Sequence, residues 1–546
     1  MDTHSHTSTI PAKHEMDRIN TLLRSNYGSY TPDPECISQC LSNTEREMRR
    51  NADEIRRLEA QIASIQIEQR GLELRVSRYR SLLAPIRRLP PEVLDLVFKS
   101  FCDKLPATFS SILFSPAARL SSVCAGWRDL VRRTPTLWSS LRIEHGTLKH
   151  VSLERIVSLL AMHFELSQQA PLDLCIIMGM RDWEERDLER YVEPARVVLE
   201  MLLAQSLRWR DVTLALPNFI SNDDLAVLRG KLPRLRLLNF LSLSDLDADA
   251  FEMAPSLKVL LCSTNLKLPW AQILDLTVRF NHPKRIVEVL TKATAALDVK
   301  LSRCTLFNIG VAGVELQASP LVHNLTSFSI MVNQEYPDFH HWFKWLTLPN
   351  LTSLDVAGYE SSLPVACTSV FENNCFPSFL SRSSCTITSL SLINLPLSES
   401  DAMALLTALP SLSSLTIHER TDPQRNTTLT STFFNSLTIK HNTTFSNSHS
   451  LPLRLERLRS LDLRVHGAFP AKVIVDVIVS RWSGNDLEYS AAVGVDSLMK
   501  VKILALRSEG AMVLDVQELH DSLEAYKGLG LSLYCESKFL GGKGKK

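Results

Sequence analysis

The sequence predicts an α segment followed by an α/β one (α + α/β): a long amino-terminal coiled-coil helix, a small helical unit, then an irregular leucine-rich-repeat solenoid. Three observations carry this expectation. Apolar residues recur at alternating steps of three and four between Leu41 and Leu83, the spacing of a coiled-coil seam. Two short apolar-faced segments, punctuated by prolines, lie between Pro85 and Trp138. Beyond Trp138 the chain returns repeatedly to the phrase Leu-x-x-Leu-x-apolar, a strand-length alternation separated by helix-like stretches.

Composition narrows the function classes. The 546 residues are 45% hydrophobic and 22% charged, the balance of a folded globular protein. The 60 Lys+Arg are offset by 59 Asp+Glu, so no basic field points to a nucleic-acid partner. The opening MDTHSHTSTIPAKHEMD lacks the apolar run of a secretory signal. The apolar stretch Val473 to Val479 contains Asp476 and falls short of the roughly 20 residues a spanning helix needs. An intracellular protein of cytoplasm and/or nucleus, with no membrane segment, is therefore expected. The 11 cysteines are scattered, which in a reducing compartment favours buried apolar thiols over disulfides.

The elements follow in order. Residues 1–40 mix Ser, Thr, His, Pro and Asn without periodicity and read as a disordered leader. Residues 41–84 read as the coiled-coil helix. One seven-residue series is Leu41, Met48, Ile55, Ile62, Gln69, Val76 and Leu83; the other is Thr44, Asn51, Leu58, Ile65, Leu72 and Tyr79. The seam is cleanest from Ile55 to Ile65. Self-association through 41–83 and a solvated helix packed on its own chain both remain open.

Residues 85–140 form the small helical unit. Pro85 stops the preceding helix, and Pro90-Pro91 opens a new one whose face carries Val93, Leu94, Val97, Phe98 and Phe101. Ser115-Pro116 starts a second helix with Leu120, Val123, Cys124, Trp127, Leu130 and Val131 on its apolar face, and Thr134-Pro135 ends it. Phe101, Trp127 and Leu130 are expected in the core; Leu89, Pro90, Val93 and Leu94 are expected at a surface. The connector from Cys102 to Phe114 is a further turn or a loop.

Residues 141–540 form the solenoid, with a flexible tail at 541–546. Its phrases include Leu235, Leu238, Phe240; Leu351, Leu354, Val356; Leu412, Leu415, Ile417; and Leu458, Leu461, Leu463. The interval from Leu235 to Leu257 is less than half that from Leu412 to Leu458, so insertions are required. The Ser, Thr and Asn-rich stretch at about 421–450 is the clearest one, with few apolar residues to bury. Residues alternating with the apolar ones must project from the strands along the concave side. On this ground Ser353, Asp355, His418, Ser460, Asp462 and Arg464 are the expected target-binding set, with Asn239 and Ser263 on earlier strands.

No catalytic constellation stands out. There is no Gly-x-Ser-x-Gly, no P-loop and no His-Glu-x-x-His, and only 18 glycines occur. His340 and His341 have only Asp338 nearby, and His4 and His6 lie in the leader. No catalytic, cofactor-binding or metal-binding residue is assigned, and no cofactor is expected.

The phrase Leu89-Pro-Pro-Glu-Val-Leu-Asp-Leu-Val-Phe98, followed by Leu120-Ser-Ser-Val-Cys-Ala-Gly-Trp127 and Thr134-Pro-Thr-Leu-Trp138, resembles the F-box. The wider layout resembles the large F-box families of mushroom-forming fungi. The resemblance implies a non-catalytic substrate-recognition subunit of an SCF-type ubiquitin ligase, docking a Skp-type adaptor and through it a cullin, with a target protein on the repeats. Carried over by position, the adaptor-binding residues are Leu89, Pro90, Glu92, Val93, Leu94, Val97 and Phe98 on the first helix, and Val123, Cys124 and Trp127 on the second. The alternative is a leucine-rich scaffold with no ligase connection.

Overall fold

The computed structural model describes residues 10–24, 33–104, 107–108, 115–144, 151–178, 185–242, 249–262, 266–279, 283–302, 320–332, 340–358, 375–395, 397–421, 428–439, 455–466, 469–484, 494–507 and 514–539. The chain divides into two compact units, Met1–Leu94 and Asp95–Lys546. It mixes helix and strand, with a long helix near the amino terminus and one large parallel sheet. Among the described residues no helix is long and apolar enough to cross a membrane.

The first unit holds α1 (Ile10–Leu23) and α2 (Pro34–Leu82). The structure here departs from the expected leader. Met16, Ile19 and Leu23 supply the three-to-four spacing of a helix within it, and α2 begins at Pro34, ahead of the expected Leu41. Asp33-Pro34-Glu35 explains the early start. The Asp33 carboxylate accepts the amides of Glu35 and Cys36 at 3.1 and 3.3 Å, and proline occupies the first turn, where its missing N–H costs nothing. Along the 49 residues of α2, Arg56 pairs with Asp53 at 2.5 Å and Arg57 with Glu54 at 2.8 Å, the i,i+3 spacing at which opposite charges meet on one helix face. None of its residues is buried.

Helix α3 spans Pro91–Lys104. Where one helix was expected after Ser115, the structure has two, α4 (Pro116–Ser121) and α5 (Ala125–Arg133). Cys124 causes the break: its backbone is fully extended, and its Sγ takes the Trp127 amide at 3.5 Å as the α5 cap. The connector before α4 contributes a two-residue strand, β1 (Ala107–Thr108), to the edge of the sheet.

Among the described residues the sheet has 15 parallel strands, arranged in the order of the sequence. After β1 come β2 (Ser140–Glu144), β3 (Leu172–Ile177), β4 (Trp209–Leu216), β5 (Leu237–Ser242), β6 (Val259–Cys262), β7 (Asp275–Val278) and β8 (Asp298–Leu301). The series continues with β9 (Ser327–Val332), β10 (Ser353–Gly358), β11 (Ser389–Ile393), β12 (Ser414–His418), β13 (Ser460–Val465), β14 (Lys500–Arg507) and β15 (Ser532–Phe539). A small separate pair joins Leu321–Val322 to Leu346–Thr347. Parallel neighbours need a crossover, and several of those described are helical: 153–167, 185–203, 283–292, 399–407, 471–480 and 516–528.

Registration of the phrases builds the core. Phe328, Leu354, Leu390, Leu415, Leu461 and Val501 are Cα partners from strand to strand, and all six are buried in one cluster shared with the crossover helices. Hydroxyls reinforce the strand entrances. Thr326, Thr352 and Thr388 each donate to a carbonyl of the preceding strand's entrance, at 3.1, 3.0 and 3.3 Å.

The expected insertion at about 421–450 is corrected in part. Ser431–Leu437 is a helix, capped by the Thr430 hydroxyl on the Phe433 amide at 3.2 Å. Phe433, Phe434 and Leu437 join the core, so this stretch does bury apolar surface despite its polar flanks. Residues 422–427 and 440–454 lie outside the described residues. Buried Arg481 donates to Leu437 O at 2.8 Å and Leu455 O at 3.0 Å, fixing the chain on both sides of the latter segment.

Candidate protein-interaction surfaces

Helix α3 presents two apolar stripes. Leu94, Phe98 and Cys102, spaced by four, are buried; Val93, Leu96 and Val97 are exposed, Leu96 by 66%. The ten residues expected to bind an adaptor divide accordingly. Leu89, Pro90, Glu92, Val93, Val97 and Val123 are exposed, Leu94 and Phe98 are buried, and Cys124 and Trp127 are half-buried. Phe98, carried over as an adaptor-binding residue, is buried, its ring meeting Trp127 at 4.7 Å between centroids. Leu94, expected at a surface, is corrected to the core, being only 9% exposed. Phe101 and Leu130, expected in the core, are half-buried. Leu96, one three-residue step from Val93 on the same stripe, is exposed beside it.

The second surface is the face of the sheet opposite the buried phrases. Ser327, Ser353, Ser389, Ser414 and Ser460 stand in register at the strand entrances. One step of two onward, Ser329, Asp355, Ser391, Thr416, Asp462 and Lys502 form the next row. All the described members of the expected target-binding set, Ser353, Asp355, His418, Ser460, Asp462 and Arg464, are half-buried on this face. Asn239 lies between Thr213 and Leu261 in register, and its Oδ1 is buried with no hydrogen bond among the described residues. Ser263 lies outside the described residues.

The structure brings part of the set together. Asp462 takes the His418 ring nitrogen Nε2 at 2.8 Å and Lys502 Nζ at 3.1 Å. Burial raises the Asp462 carboxyl, but these two hydrogen bonds outweigh it and hold the group below the usual carboxylate range. Asp355 stands apart from these, accepting the Ser329 hydroxyl at 2.9 Å. On β7 and β8 the face carries Asp275, Asp298 and Lys300. Asp275 and Asp298 are Cα partners; burial, and then the neighbouring Asp275 charge, push the Asp298 carboxyl up.

Arg464 serves the fold as well as the surface. It donates through Nε to Glu419 O at 2.8 Å and through Nη2 to Asn394 Oδ1. Glu419 is 5% exposed, and its carboxylate accepts the amides of Leu429 at 3.1 Å and His466 at 3.0 Å. Lys502 has a sequence signal, since Lys500-Val-Lys-Ile continues the strand phrase. The Asn394 and Glu419 contacts have none, because they join loops far apart in the chain.

Among the described residues no group of three or more His, Cys, Asp or Glu is placed to hold a metal ion. Burial pushes the Cys102 and Cys535 thiols up to about 11 and the Cys262 thiol up to about 12, leaving all three poor nucleophiles at neutral pH. Comparison with family models and with curated proteins finds no match.

Proposed function

We propose that this chain is the non-catalytic substrate-recognition subunit of an SCF-type ubiquitin ligase. Residues 85–140 act as an F-box that docks a Skp-type adaptor, and through it a cullin, while the parallel sheet and its crossovers act as a leucine-rich-repeat solenoid whose open face holds a target protein. The observation that carries the proposal is the double stripe of α3. A short helix that buries Leu94, Phe98 and Cys102 while leaving Val93, Leu96 and Val97 exposed has an apolar strip to offer a partner, and such strips mark interaction surfaces. The ordered Leu-Pro, Val-Cys-x-x-Trp and Pro-x-Leu-Trp elements supply the class of partner. The Ser, Asp, Thr and Lys rows of the sheet supply a regular polar surface for the target.

The test is affinity purification of the tagged chain from native cells with and without a proteasome inhibitor. Adaptor and cullin are expected in both samples, and a further protein enriched by the inhibitor is the target. A chain that recovers partners but never adaptor or cullin is a leucine-rich scaffold instead.

A further inference from the structure

The open face of the sheet is not polar throughout. On β9 to β13 the outward residue at the strand entrance is a serine every time, Ser327, Ser353, Ser389, Ser414 and Ser460. The same row on β5 to β8 reads Leu237, Val259, Asp275 and Asp298, each the Cα partner of the next. Leu237 and Val259 are half-buried, and so is Leu261, two residues on from Val259. Outward strand positions that face water are ordinarily polar, so three aliphatic side chains there make an apolar patch of the kind a partner covers. We infer that this patch and the adjoining carboxylate pair hold a target segment in which an aliphatic residue and a Lys or Arg stand two positions apart. The inference rests on the reading of the open face as the target surface.

The charge of the segment follows from how the acids of the face are matched. Arg210 holds Asp173 at 2.9 and 2.5 Å, Arg236 holds Asp211 at 3.1 and 3.0 Å, and His418 and Lys502 hold Asp462. Asp298 takes the Ser327 hydroxyl, but among the described residues the cation that pulls it and Asp275 down is Lys300 in both cases. Burial pushes each of these two carboxyls up ahead of that, and Asp275 and Asp355 push Asp298 up further. Three carboxylates thus share one ammonium. A second cation set between Asp275 and Asp298 relieves their repulsion, whereas an anionic segment would add to it.

Strand spacing sets the two-residue step. Neighbouring strands lie about 4.8 Å apart, so a point midway between Asp275 and Asp298 is about 7 Å from Val259 across the sheet. In an extended chain, residues i and i+2 project on the same side about 6.8 Å apart. A segment that crosses the strands with its aliphatic side chain on Val259 and Leu261 therefore places the residue two positions on above the carboxylate pair. Lys or Arg suits that place, because the stem packs on apolar surface while the head group meets the acids.

Fluorescence anisotropy with the purified full-length chain tests the assignment, using three labelled peptides built from Leu-Ser-Lys, Leu-Ser-Glu or Ser-Ser-Lys units. The Leu-Ser-Lys peptide is expected to bind about tenfold or more tightly than either of the others, and to weaken as salt is raised. Asp275→Asn/Asp298→Asn should lose about tenfold in affinity for it, with a thermal midpoint no lower than that of the wild type because the repulsion between the two carboxylates is gone. Val259→Thr/Leu261→Thr should weaken binding of the Leu-Ser-Lys peptide and leave that of the Ser-Ser-Lys peptide unchanged. Equal binding of Leu-Ser-Lys and Ser-Ser-Lys, binding that survives Asp275→Asn/Asp298→Asn, or no binding of any peptide by the folded chain overturns the assignment. No adaptor enters this assay, so failure here leaves docking at α3 standing, and failure to bind an adaptor leaves the peptide result standing.

Discussion

Asp462 is the residue on which the open face converges, because its carboxylate joins β12, β13 and β14 through His418 and Lys502. Its placement was legible in the sequence: in a strand the residue between two buried ones must face away from the core, which fixed Asp355 and Asp462 from the alternation alone. The function of Arg464 was not legible, since Asn394 lies on another loop. Asn394 itself holds a positive φ of 56°, and the glycine it packs on is required: a Cβ at Gly358 would meet Asn394 O at 2.7 Å. Gly358→Ala is therefore expected to destabilise the fold by about 1 to 3 kcal/mol, measurable as a lower urea midpoint. A second residue sets a pH dependence. His163 is buried, with its ring edge-on to Trp138 at 5.2 Å, and burial lowers its pKa from 6.5 to about 4. The unfolded chain thus binds a proton that the folded one refuses between those values, so this contribution is complete above pH 6.5 and falls as pH drops toward 4. The loss amounts to about 3 kcal/mol at most. Urea titrations of wild type and His163→Phe across this range should show a steeper acid loss in the wild type.

At the scale of elements, α3 owes its two stripes to a helix period that returns to the same side every three to four residues. The sequence pattern showed that α3 is apolar and where it begins, but not which stripe faces inward, because Val93 and Leu94 are equally apolar and only the packing of Trp127 on Phe98 separates them. Truncations distinguish the stripes. Phe98→Ala is expected to cost about 3 to 5 kcal/mol in folding stability, whereas Val93→Ala and Leu96→Ala should change it by less than about 1 kcal/mol; differential scanning calorimetry reads both. The break between α4 and α5 was hidden for a different reason, since a cysteine is not a common cap. The helix at Ser431–Leu437 was hidden because a Phe pair in a Ser- and Thr-rich window contributes little to a compositional reading.

Across the second unit, the succession of phrases translated directly into strand order, because parallel neighbours joined by short crossovers stack in sequence. What composition could not supply was the number of strands: β2, β3 and β4 pair with the rest although their sequences were not among the recognised phrases. The regular face they create makes a separable prediction. Asp355→Lys with Lys502→Glu breaks the hydrogen bonds to Ser329 and Asp462 and should cost about 1 to 3 kcal/mol of stability while leaving the chain folded and weakening recovery of any inhibitor-enriched target; unchanged recovery by the folded variant would move target binding off this face. The central claim, that α3 docks a Skp-type adaptor, is tested most directly by isothermal calorimetry of the full-length chain with a purified adaptor. A stoichiometric complex is predicted for the wild type, with affinity reduced about tenfold or more in Val93→Glu/Leu96→Glu/Val97→Glu at unchanged helix content. No binding by the folded wild type, or equal binding by the substituted chain, would contradict the assignment.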